Sequence, residues 1–322
     1  MFPPLLLSAA LLALPPGVDP TLFPDVDKVT TEEIELAGLA SLYPGRILHE
    51  TPHTLDANDQ GRKPAAYDLP RNLSYLRVYD LGASLPQIAQ LLADKPALIL
   101  DLRYVCADAK AAEGFAGVLS AAGLDYNLVH GEGDTMPEPG KLPTRDPKIT
   151  KPTPVVLALV NGMTAGPVEA WLEAFQEKDS VLLVGTPTAG QPAHYKPIPA
   201  HPGYFIIDGE LLPVSGSLVG SGVKPRFPVD VTPEQSYDTY FFVERGGVIT
   251  TLLRHDTNTT PAPAKPATTA TPAPIPQSVP VEEIADPVLQ RAVDVVAALQ
   301  VLGRLPSLTA PTASGPATTA QR

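Results

Sequence analysis

The sequence predicts an α/β fold for the stretch from about residue 70 to residue 245. Three observations lead to that class. Residues 97–102, 155–160 and 181–184 are apolar on both faces, the mark of strands buried on both sides of a parallel sheet. Between them lie stripes at helical spacing: Phe115, Val118, Leu119 and Ala122, then Val168, Trp171, Leu172 and Phe175. Turn-forming residues separate the segments, so strands alternate with helices along the chain.

Thr30-Thr31-Glu32-Glu33 has capping-box spacing ahead of Leu36, Leu39, Ala40 and Tyr43, which predicts a first helix. Residues 73–79 alternate in part and predict a strand. Ser84, with Gln87 three residues on, predicts the start of a short helix running to Ala93. The buried strand 97–102 leads to a helix closed by Gly123, and residues 124–129 read as a further strand. Residues 131–154 are rich in Pro, Gly and charge and read as a loop. Strand 155–160 runs into a helix with Pro167 at its start, and strand 181–184 follows. Residues 204–207 and 210–214 read as a hairpin with Asp208-Gly209 as its two-residue turn.

The ends differ from the core. Leu5 to Leu14 is an apolar run broken only by Ser8, the length of a signal-peptide apolar region and too short for a membrane span. It predicts export to the periplasm or the outside of the cell. An apolar tail packed on the core, or a start assigned too early, reads the same residues differently, since the first basic residue is Lys28. Residues 257–280 hold seven of the 39 prolines among Ala, Thr and Ser and cannot bury enough apolar surface to offset chain entropy, so an extended linker is expected. Residues 282–304 predict a helix with Asp286 as N-cap, Pro287 in its first turn and Gly303 at its end. That helix either packs on its own core or docks elsewhere on a tether. The expected organisation is a signal segment at 1–17, an N-terminal helical segment at 18–71, the α/β core at 72–256, the linker at 257–281, the helix at 282–304 and a low-complexity tail at 305–322.

Composition excludes several classes of function. A formal net charge of −12 argues against a general nucleic-acid binder, which needs a basic face to meet phosphate. A single cysteine, Cys106, excludes an intramolecular disulfide and a Cys-rich zinc site. None of the six histidines forms an i, i+4 pair on a predicted helix, no Gly-rich phosphate loop is present, and so neither metal nor cofactor is expected. No apolar run reaches the roughly 18 residues of a membrane span.

Five segments, in order, resemble the tail-specific (C-terminal processing) serine peptidases. They are Leu73-Ser74-Tyr75-Leu76-Arg77-Val78 with the "ILDLR"-like Ala97-Leu98-Ile99-Leu100-Asp101-Leu102-Arg103; Pro154-Val155-Val156-Leu157-Ala158-Leu159-Val160-Asn161 with Thr164-Ala165-Gly166-Pro167-Val168-Glu169-Ala170; Leu183-Val184-Gly185-Thr186-Pro187-Thr188-Ala189-Gly190-Gln191; Gly220-Ser221-Gly222-Val223-Lys224-Pro225 with Val229-Asp230-Val231; and Asp286-Pro287-Val288-Leu289-Gln290-Arg291-Ala292. The resemblance implies a crotonase-like core of repeated ββα units, serine-type proteolysis by a Ser/Lys dyad without a cofactor, and partners that are peptide or protein segments such as extended C-termini. Residues 25–71 are too short, and too poor in strands, to hold the family's usual PDZ insertion.

The same alignment shows departures where the chemistry would lie. The serine position carries Gly166 and the lysine position Gln191. Glycine has nothing to attack a carbonyl, and a glutamine amide takes no proton near neutral pH. One oxyanion donor would be the N–H of the residue after the serine, here Pro167, which has none. The other would come from the turn Tyr104-Val105-Cys106-Ala107-Asp108, which lacks glycine at Ala107 and puts an acid at Asp108. The expectation is therefore a homologue that has lost catalysis and binds or scaffolds, through a groove formed by Thr164, Ala165, Gly166, Gly190 and Gln191. Two alternatives stay open: an active peptidase with a relocated nucleophile among Thr164, Cys106 and Lys196, and an unrelated α/β binding module. Thr164 as a helix cap, Cys106 as packing and an Asp101–Arg103 ion pair are the structural roles these residues would otherwise fill.

Overall fold

Parallel strands buried on both faces need cover on both faces, and the chain supplies it from two directions. The structure, a computed structural model, describes residues 31–42, 46–49, 51–69, 73–133, 136, 138–242, 248–249 and 283–303. The expected signal segment, linker and tail lie outside those residues. The chain divides into two units, residues 1–49 with 197–206, and residues 50–196 with 207–322.

In the first unit, helix α1 (Thr31–Leu42) and strand β1 (Ile47–Leu48) are described. The capping-box helix is present, but Leu36 and Leu39 are only half-buried and Leu42 is exposed. β1 pairs antiparallel with the chain at Ile206 and Phe205, and the His49 ring stacks on Tyr204 at 4.2 Å.

The second unit is built on a six-stranded sheet. Its strands are β2 (Ala65–Leu69), β3 (Leu73–Arg77), β4 (Ala97–Asp101), β6 (Val155–Val160), β7 (Val181–Gly185) and β10 (Phe227–Pro228), in the order β10-β7-β6-β4-β3-β2. All neighbours are parallel except β2, which runs antiparallel to β3. The mixed α/β class expected from the alternation of elements is what the chain adopts.

Period-two alternation sorts the strand residues onto two faces. Leu76, Leu98, Leu100, Val156, Ala158 and Val160 join one apolar cluster with helices α2 (Leu81–Asp94), α3 (Ala109–Ala121) and α4 (Val168–Gln176). Leu73, Tyr75, Ala97, Ile99, Leu157 and Leu159 join the other, against helix α6 (Pro287–Val301) through Val288, Leu289, Ala292 and Val296. The C-terminal helix thus packs on its own core, five residues shorter at its start than the 282–304 expected.

A second sheet contains β5 (Val129–Gly133), β8 (Ala193–Pro197) and β9 (Phe205–Pro213). Helix α5 (Pro233–Phe242) follows β10, and β11 (Val248–Ile249) pairs with β12 (Glu283–Ile284).

Several expectations need correction. Residues 204–214 do not turn at Asp208-Gly209 but run on as the nine-residue β9. A neighbouring strand overrides the local turn preference: Gly209 lies opposite Gly133 and Glu210 opposite Glu132. Gly133 suits this approach, since a Cβ there would come within 2.4 Å of the Asp208 carbonyl oxygen. For the same reason β5 occupies 129–133, running three residues into the expected loop 131–154, while 124–128 is not a strand. The helix expected to start at Ser84 starts at Leu81, because the Asp80 carboxylate caps it by accepting from Ala83 N–H. The segment expected to be helical up to residue 71 contributes β2 to the sheet.

Candidate functional site

The carboxyl ends of β4 and β6 open into the two turns that the sequence comparison singled out. After β4 comes the turn 102–107, and after β6 the turn 161–167. They are tied by a parallel bridge between Cys106 and Ala165: Ala165 N–H donates to Val105 O at 2.9 Å and Ala107 N–H to Ala165 O at 3.2 Å. Gly166 N–H then donates to Gln191 O at 3.1 Å, and Ala189 N–H to Thr164 O at 2.9 Å. Thr164, Ala165, Gly166, Pro167, Ala107, Asp108, Gly190 and Gln191 therefore lie along one set of linked turns.

Gly166 is the tightest point of that set. Its φ is +92°, and a Cβ built on it would sit 2.2 Å from the Ala107 carbonyl oxygen. Both the left-handed backbone and this closeness require glycine. Pro167 follows at φ −53°, pre-set for the helix, and begins α4 with no side-chain cap. Asp108 does not point its charge at an open site; its carboxylate caps α3, accepting from Ala111 N–H at 2.7 Å.

Gln191 is buried, and its Oε1 accepts from His53 N–H at 2.7 Å. Beside it is a residue that the sequence reading used only for alignment. Glu169, fully buried in the first turn of α4, accepts from Thr188 Oγ1 at 2.5 Å, Gly190 N–H at 2.8 Å and Gln191 N–H at 2.8 Å. Burial pushes this carboxyl up, the donors pull it back, and the result is about 7. A helix-borne acid two residues after a proline gives no local sign of this role; only the fold brings 188–191 to it.

Two of the candidate nucleophiles, Thr164 and Cys106, are engaged by the backbone around them. Thr164 does not cap α4. Its buried hydroxyl donates to Leu102 O at 2.9 Å and accepts from Asn161 N–H at 3.1 Å. Cys106 is half-buried, its Sγ 3.1 Å from His53 O, and burial, with Glu169 and Asp108 adding, pushes the thiol up to about 11. That keeps it in the poorly nucleophilic form at neutral pH. Lys196 is exposed on β8, and its neighbour His194 pairs with Asp208 at 2.6 Å. No group of His, Cys, Asp and Glu able to hold a metal occurs among the described residues. No helix among them is long and apolar enough to cross a membrane.

Behind the site, Arg103 holds both Asp101 (2.6 Å) and Asp286 (2.8 Å), all three buried. Burial pushes the Asp101 carboxyl up, and the Arg103 guanidinium outweighs it, leaving Asp101 below the ordinary carboxylate value. Tyr75 donates to the same carboxylate at 2.6 Å. The expected Asp101–Arg103 pair is thus part of a larger cluster that reaches the C-terminal helix.

No family model and no curated protein matches this chain. Among solved structures it is similar to a photosystem II D1 C-terminal processing protease, at 18% identity and a TM-score of 0.37, over 49% of this chain and 42% of that one. It is similar also to a lipoprotein from Streptococcus agalactiae, at 17% identity and a TM-score of 0.39, over 56% and 69%. The tricorn protease matches at 16% identity and a TM-score of 0.34, over 52% of this chain and 16% of that one. This chain therefore spans about two fifths of the processing protease's length.

Proposed function

We propose that this chain is a non-hydrolytic relative of the tail-specific peptidases that binds or scaffolds peptide or protein segments. The observation that carries the proposal is the geometry at Gly166: the position aligned with the attacking serine has a left-handed backbone and a carbonyl where a side chain would begin. The position aligned with the base carries a buried amide already accepting from His53 N–H. Pro167 offers no N–H to a developing oxyanion. In a serine hydrolase whose catalytic residues were removed singly and together, losing the nucleophile alone lowered turnover by roughly a millionfold, so no residual hydrolysis of physiological size is expected.

The layout that accompanies this reading is a signal segment at 1–17, a core at 72–256, a linker at 257–281 and a helix at 282–304, with export supported by the apolar run from Leu5 to Leu14. Peptide binding, with no nucleic acid, metal or other cofactor, is the activity proposed for the groove at 164–166 and 190–191.

Two measurements on the full chain test the reading. Hydrolysis of an unfolded protein substrate such as casein is expected at background rate, and an active-site serine- or cysteine-directed probe is expected to leave no adduct. Turnover abolished by a single substitution at Thr164, Cys106 or Lys196 would establish a relocated nucleophile and sink the proposal.

A further inference from the structure

The carboxyl ends of β4 and β6 carry the site described above, and the opposite ends of the same two strands border a cavity of about 460 Å³. That volume lies within the roughly 300–1,000 Å³ usual for small-molecule sites. Strands of this length separate the two ends by roughly 16 Å. The cavity is framed by the last turns of α2 and α3 and by the loop 145–154.

Its walls are mainly apolar: Leu92, Pro96, Ala122 and Ile149 are among them, and Ile149 is 49% exposed. Two cations of the loop stand at this wall. Lys151 Nζ donates to Ala93 O at 3.0 Å, at the carboxyl end of α2. Arg145 donates to Thr153 Oγ1 at 2.8 Å and to Lys151 O, and its stem lies over Gly123 at the end of α3. Each cation sits where a helix's negative end favours it, and each keeps donors, since an ammonium has three and a guanidinium five. Of the other charged lining residues, Lys95 is paired with Asp68 at 2.9 Å, which leaves Asp94 as the single acid against Arg145 and Lys151. In a chain with 35 acidic residues against 23 basic ones, this wall has the opposite balance.

We propose that this cavity is a binding site for a free amphipathic anion, an apolar chain carrying one carboxylate, with the chain against Leu92, Ala122 and Ile149 and the carboxylate on Arg145 and Lys151. An apolar body suits the walls, and the surplus of cationic donors selects an anionic head over a neutral one. The site is separate from the Gly166 turns and does not depend on how those are read.

Calorimetric titration of the full chain with decanoate, and with 1-decanol of equal chain length, tests this. Decanoate is expected to bind one to one and at least tenfold more tightly than decanol. The double variant R145M/K151M, which keeps the side-chain stems, is expected to lose at least tenfold in decanoate affinity. Ala93→Phe, an exposed position at the cavity wall, is expected to lower it by a similar factor by filling the space. A thermal melt within a few degrees of wild type keeps each variant interpretable, and a variant that melts lower is replaced by K151M alone. Absence of saturable binding, equal affinity for decanol, or affinity unchanged in the variants would overturn the proposal.

Discussion

At the scale of single residues, two positions govern the candidate site, Gly166 by what it excludes and Glu169 by the donors it gathers. Gly166 has space for a hydrogen only, so Gly166→Ser should cost about 3 kcal/mol or more through left-handed strain and the clash with Ala107 O. The triple variant G166S/P167A/Q191K is accordingly expected to unfold at lower urea and to stay without casein hydrolysis; a stable, cleaving triple variant would show that the turn rearranges freely. Glu169 makes the second prediction. Its folded pKa of about 7 lies above the ordinary carboxylate value, so the native state holds this proton more tightly than the unfolded chain does. The associated stability is present at acidic pH and is lost as pH rises from about 4.5 through 7, an effect of about 3 kcal/mol if no other group compensates. Glu169→Gln should remove that pH dependence in urea melts between pH 5 and pH 8. It should also lower stability by about 1–3 kcal/mol at pH 5, because one amide oxygen cannot serve both Gly190 N–H and Gln191 N–H. A wild-type slope retained in the variant would place the titration elsewhere.

At the scale of elements, helix α6 is attached by two unlike devices. One is apolar, with Val288, Leu289, Ala292 and Val296 on Leu73, Tyr75, Ile99 and Leu157. The other is the carboxylate of Asp286, which caps the helix through Val288 and Leu289 N–H and also meets Arg103. Asp286→Ala removes the cap and leaves Arg103 short of a buried partner, so a loss of about 3–5 kcal/mol is expected in equilibrium unfolding. Leu289→Ala should cost about 2–5 kcal/mol from the cavity alone. If Asp286→Ala instead cost no more than an exposed substitution, the buried ion cluster would not be what holds the helix. The sequence revealed this element well, since Asp-Pro followed by spaced apolar residues is a helix start with local causes. It revealed β9 poorly: Asp208-Gly209 favours a turn in isolation, and only the arrival of β5 across Gly133 keeps the chain extended.

At the scale of the whole molecule, one sheet is covered on two faces by elements that come from different parts of the chain. Ending the chain at residue 256 removes α6 and uncovers the face carrying Leu73, Tyr75, Ile99, Leu157 and Leu159. Such a chain is expected to bind an apolar dye and to self-associate in light scattering, and a synthetic peptide of residues 283–303 is expected to reverse both. A monomeric, dye-silent truncated chain would contradict the covering role of α6. By itself, the sequence determined the α/β class, the buried strands read at 97–102, 155–160 and 181–184, the helices between them and the final helix, because each rests on periodicity and caps within a few residues. Only tertiary structure decided that Gly166 is crowded by Ala107, that Glu169 gathers 188–191, that β2 is a strand and β9 a single unbroken one, and that α6 lies on its own core. Each of those depends on a backbone or carboxylate brought from far along the chain, and no local pattern of side chains records where such a partner will come to rest.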